Sequence, residues 1–291
     1  MPKFPRNLGV LILALFASLI AASCSAPVPR PTGPAADYDD AKEMFKRGRF
    51  DRALEFSYGL STSNPPTDFT ERARVLRAVV FTGQLRGTKE LAESYSKGAD
   101  ETKNPHFKAV YGGQRHDNFE YAAKAALSLA ETAHQLTGNG TLSKELTLEA
   151  SYPTMEGPLG LPALKRIEEG GWVEPDQQES TATDALRKGV DDALADLVSG
   201  DRAKARSALA NGSTKLAGVD FGIFLGKQLA EGATIFDKKH ERDSMKLKTM
   251  CNEGDEVIKA TLALLKDNPD KDKEQQVKKL QDRFKTILKS V

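Results

Sequence analysis

The chain has 291 residues, with 42 Lys and Arg against 41 Asp and Glu, a formal net charge of +1, and 39% hydrophobic and 29% charged side chains. This is enough apolar material for a sizeable core, and it excludes a globally disordered chain. The near-zero charge excludes the basic excess that a dedicated nucleic-acid binder needs, and two cysteines exclude both a disulfide-dense scaffold and a Cys-rich zinc site.

Lys3 and Arg6 are the only charges in residues 1–23. They precede a run from Leu8 to Ala22 that is apolar except for Gly9 and Ser18, and small residues Ala21, Ala22 and Ser23 lead into Cys24. A basic start, a short apolar stretch and a small-residue exit predict a signal peptide over 1–23. The run is shorter than the ~20 apolar residues that span a bilayer.

Ile20-Ala21-Ala22-Ser23-Cys24 resembles the lipobox of bacterial lipoproteins, with Ala21 where that family usually has Leu. The resemblance implies cleavage before Cys24, acyl chains on Cys24 and anchoring in a membrane of the cell envelope, facing the periplasm. Ala21-Ala22-Ser23 also suits ordinary secretion with cleavage at the same bond. Ser25, in place of the Asp that retains lipoproteins at the inner membrane, leans toward the outer membrane. Several acyl chains anchor firmly where one holds only weakly. Loss of residues 1–23 removes two basic groups and no acid, leaving 40 basic and 41 acidic residues.

Residues 24–36 follow as a lipid-anchored tether. Four prolines, Pro27, Pro29, Pro31 and Pro34, favour an extended spacer of roughly 35–40 Å at about 3.1 Å per residue. The folded body is expected to start near Asp37.

Beyond the tether, apolar residues recur at spacings of three and four, and the predicted fold class is all-α. Residues 37–136 are expected as helical hairpins. Ala41, Gly48 and Ala53 show a spacing of seven and then five, repeated as Ala193, Gly200 and Ala205 and, with Val first, as Val80, Gly87 and Ala92. Each Gly is predicted to lie between two helices, with small flanking residues letting them approach. This pattern resembles the tetratricopeptide repeat, whose first unit is best matched by Ala41, Gly48, Phe50, Ala53, Leu54 and Pro65. The family's Trp is absent, and the first two units lie 39 residues apart rather than 34. The resemblance implies stacked, solenoid-like hairpins that bind a protein or peptide partner.

Residues 137–180, rich in Gly and Pro, are predicted to be an irregular connection between subdomains, apart from a short helix near Leu161–Glu169 ended by Gly170, with Trp172 packing the loop onto a helical face. A C-terminal helical subdomain is expected over 181–291. In it Asp220 caps a helix running past Phe236 toward Cys251, Gly254 interrupts it, and Asn268-Pro269 ends it. Val277, Leu280, Phe284, Ile287 and Leu288 stripe a final helix.

No catalytic constellation stands out. His106, His116, His134 and His240 lack the pairing of a helical zinc site, and no metal or cofactor is called for beyond the lipid on Cys24. Ser94-Tyr95-Ser96-Lys97 meets a bare Ser-x-x-Lys pattern without its companion motifs and reads as a helix end before Gly98. Gly222 and Gly226 read as close helix packing rather than a phosphate loop. Asn139-Gly140 and Asn211-Gly212 read as turns, and Cys251 as a solitary buried thiol. The expected function is that of a non-enzymatic, lipid-anchored scaffold. The alternatives are a ligand-binding lipoprotein serving a transporter and an envelope hydrolase working through carboxylates.

Overall fold

The computed structural model describes residues 32–138, 140–154, 161–198, 200–236 and 243–289. The signal segment, Cys24 and the tether up to residue 31 lie outside them, as do Asn139 and His240. The chain is mostly helical. Its described residues form α1 (Pro34–Lys46), α2 (Phe50–Ser61), α3 (Thr70–Glu101), α4 (Pro105–Thr137), β1 (Glu145–Leu148), α5 (Pro162–Glu168), α6 (Pro175–Leu197), α7 (Arg202–Ala208), β2 (Thr214–Ala217), α8 (Gly218–Ala233), α9 (Ser244–Asp267) and α10 (Lys271–Leu288). A 3-10 turn, Thr234–Phe236, follows α8.

Local chemistry sets many of the boundaries. Pro occupies the first turn of α1, α4, α5 and α6, where its missing N–H costs nothing. Pro34 therefore starts α1 inside the stretch expected as tether, and the body begins three residues before Asp37. Side chains of Asn104, Asp201, Asp243 and Asp270 accept hydrogen bonds from the first backbone amides of α4, α7, α9 and α10. Asp220 does not cap a helix; it lies in the first turn of α8, which ends at Ala233, and Asp243 opens α9.

Helix α3 is the axis of the fold. Residues Val75–Gly83 are buried without interruption, which marks a helix covered on every side. Helix α4 returns along it after a three-residue link, and α2, α5, α6 and β1 cover its remaining faces. Helices α8, α9 and α10 pack together, and α9 also lies on α4. One apolar core runs from Ala41 and Phe45 through Leu85 and Leu129 to Val257 and Phe284, so residues 137–180 do not divide two separate cores. That stretch also holds more structure than expected. It contains β1, α5 and the start of α6, and β1 pairs antiparallel with β2, Leu146 opposite Leu216.

The three glycine units diverge. Gly48 (φ +69°) and Gly200 (φ +77°) turn the chain between α1 and α2 and between α6 and α7, in the left-handed region where a Cβ is strained. Ala41, Ala53, Ala193 and Ala205 beside them are fully buried. The middle unit is not a hairpin: Val80, Gly87 and Ala92 all lie within the continuous α3. Gly87 is instead a contact. A Cβ there would meet the Ala185 carbonyl oxygen of α6 at 2.5 Å, one at Gly83 would meet Val190 Cα at 2.7 Å, and one at Gly189 would meet Gly87 N at 2.9 Å. Backbone thus lies against backbone where α3 meets α6.

Gly254 likewise sits inside α9 rather than interrupting it, and a Cβ there would run into the Phe284 ring. Gly222 lies against Thr261 of α9 and Gly226 faces Leu280 of α10, the close packing expected of them. Helix α10 buries Val277, Leu280 and Phe284 and leaves Leu288 at the exposed end of its stripe.

Candidate functional site

The α3–α6 contact creates a groove beside it. Because Gly87 and Gly189 bring the two backbones together, side chains one turn away on each helix flank a recess of about 440 Å³. Phe81 and Leu91 of α3 form its floor, with Gln84 and Thr88 of the same helix along its edge. Tyr121, Lys124 and Ala125 of α4 make one wall, and Ala182 and Leu186 of α6 make the other. The walls come from both sides of the 137–180 connection.

The groove has an apolar floor and a polar edge. Thr88 Oγ1 donates to the Gln84 carbonyl oxygen at 2.6 Å, and Gln84 Nε2 donates to Asp51 Oδ1 at 2.8 Å, which closes the α2 end. Asn118 Nδ2 donates to the Gln114 carbonyl at 2.7 Å, so its Oδ1 is the acceptor left for the groove. Tyr121 is 59% exposed. Lys124 Nζ stands 5.5 Å from the Tyr121 ring centroid and pairs with Glu120 at 2.8 Å. The Glu120 carboxylate holds the Lys124 ammonium above its ordinary range, so the rim keeps a cation beside an aromatic face. Such a surface takes an apolar side chain into the floor and offers hydrogen bonds to its flanks. It has no paired acid and base aimed at a common point.

The residues singled out from sequence fall elsewhere. Cys24 lies outside the described residues. Cys251 is buried in α9, and burial pushes its thiol up to about 11, away from the reactive thiolate. His134 is exposed at the end of α4, with Nδ1 3.2 Å from Glu253. Ser94 and Lys97 do not end a helix, since α3 continues to Glu101. They hold Glu168 of α5, with Ser94 Oγ donating at 2.9 Å and Lys97 Nζ at 3.2 Å. Trp172 does pack its loop onto a helix, stacking on Phe107 of α4 at 4.8 Å between ring centroids. Gly212 makes its turn with φ +74°.

None of the groove residues was singled out from sequence as a site residue; Leu186 reads only as part of an apolar helical stripe. The available signal was weak: Gln84 and Thr88 are two uncharged polar residues four apart in a helix that carries many other polar side chains. That spacing puts them on one face. Among the described residues there is no group of three or more His, Cys, Asp or Glu arranged to hold a metal ion, and no helix long and apolar enough to cross a membrane. Compared with known proteins, the chain matches no family model, no curated protein and no solved structure.

Proposed function

We propose that this protein is a lipid-anchored scaffold of the bacterial cell envelope, held through Cys24 and facing the periplasm, which binds a segment of a protein partner in the groove along α3. The anchor rests on the basic, apolar and small-residue order of 1–23 and on the lipobox-like residues before Cys24. The observation that carries the binding role is the groove itself, with an apolar floor at Phe81 and Leu91 and an aromatic wall at Tyr121 left uncovered beside Lys124. An exposed apolar recess rimmed by polar groups is the ordinary form of a docking site for another chain. The tetratricopeptide-like reading is kept for α1–α2 and α6–α7, where a left-handed glycine joins two helices between buried alanines.

The alternative, a ligand-binding lipoprotein serving a transporter, draws on one feature: the recess is walled from both sides of the 137–180 connection. Two measurements test the proposal. Mass spectrometry of the mature N-terminus is expected to show an acylated Cys24; an unmodified Cys24 or a retained Met1 contradicts the anchor. A photo-crosslinking residue at Tyr121, in the full chain within intact envelopes, is expected to capture one discrete protein. The adduct should vanish on adding Leu186→Glu in the opposite wall and should not form from Met245, which is 78% exposed on α9. Recovery of a small molecule with no protein adduct would favour the alternative.

A further inference from the structure

A second recess lies where α3, α6, α8 and α10 meet, and its chemistry is opposite to that of the groove. It is about 620 Å³, within the range of small-molecule sites. Four cationic side chains line it, Arg86, Lys227, Lys279 and Arg283, against two carboxylates, Asp196 and Glu231. The two carboxylates are already engaged. Arg86 pairs with Asp196, while Glu231 takes Lys89 and, at 3.3 Å, Arg283. Lys227 and Lys279 have no ion pair with any described residue, so the lining keeps an excess of two positive charges at its rim.

The floor is built rather than incidental. Gln228 is only 2% exposed, yet its side chain lines the recess. Its Oε1 accepts from Arg86 Nε at 3.2 Å, which fixes the amide so that Nε2 is the donor it has left; Nε2 has no acceptor among the described residues. Gly226 sets the depth, because its missing side chain lets α8 approach Leu280 of α10.

We propose that this recess binds a small dianion, a phosphate monoester or a dicarboxylate, with Gln228 Nε2 donating from the floor and Lys227 and Lys279 closing over it. Asp196 and Glu231 act as positioning residues that hold Arg86 and Arg283 in place. The site is independent of partner binding in the groove.

Calorimetric titration of the detergent-solubilised full chain with inorganic phosphate, and separately with succinate, tests the proposal. Saturable binding of at least one is expected, and the tighter of the two identifies the class. Lys227→Gln and Lys279→Gln, both at exposed positions, should each weaken binding about tenfold or more. Lys278→Gln makes the same charge change on α10 outside the recess and should leave binding unchanged. The proposal is overturned if neither anion binds, or if Lys278→Gln weakens binding as much as Lys279→Gln does.

Discussion

Gly48 and Gly87 have the same sequence surroundings, a small or β-branched residue seven before and an alanine five after, yet they do different work. At the α1–α2 turn the chain needs the left-handed backbone that Gly48 supplies, and a Cβ there would have room, its nearest neighbour being Arg187 Nε at 3.6 Å. In the middle of α3 the backbone is ordinary helix, and what is needed is the absence of a Cβ, because α6 lies directly against it. A glycine before a run of helix formers thus marks either a turn or a contact. Local sequence does not distinguish the two, because the difference lies in what packs against the residue from 98 positions away.

The comparison makes substitutions separable. The largest loss is expected from Gly189→Val, which would force side-chain atoms between Gly83 and Gly87. Urea unfolding of the full chain should show a loss of about 3 kcal/mol or more, or failure to fold. Gly87→Ala should cost about 2 kcal/mol, since the obstacle is the Ala185 carbonyl rather than a side chain that can move. Gly48→Ala should cost about 1 kcal/mol, from backbone strain alone. The smallest effect should reverse sign: Gly112 is an α4 residue with nothing within 4 Å of an added Cβ, so Gly112→Ala should raise stability by about 0.5–1 kcal/mol. If Gly87→Ala cost no more than Gly48→Ala, the backbone contact between α3 and α6 would be in error.

What could be read from the sequence was what local periodicity and capping encode. The apolar stripe of α10, the stop at Asn268-Pro269 and the short helix before Gly170 all appear where their residues put them. The strand pair was not legible, because β1 and β2 are four residues each, too short for a period of two to register, and only pairing across about seventy residues makes them strands. Asp220 carried the right chemistry for a cap but lies in the first turn of α8, and the single helix expected from it is two, the second capped by Asp243. The groove and the recess were invisible for a shared reason. Phe81, Tyr121 and Leu186 sit on separate helices and meet only once α3 has α4 and α6 against it, and Arg86, Gln228 and Lys279 meet only once α8 and α10 also pack there. Charge pairing hid the recess further: Arg86 and Arg283 look like ordinary surface residues until their carboxylates are seen to be engaged and Lys227 and Lys279 are not.

Both proposed sites hang on a single unbroken α3. The most direct test is a spin-label distance between Glu71→Cys and Asp100→Cys, at exposed positions on either side of Gly87, with Cys24→Ser added and buried Cys251 left in place as an unreactive thiol. A continuous helix rises about 1.5 Å per residue, so the two backbone positions should stand about 44 Å apart. A separation under about 20 Å would mean that the chain turns back at Gly87, as the repeat spacing alone suggests, and would remove the floor of the groove along with one wall of the recess.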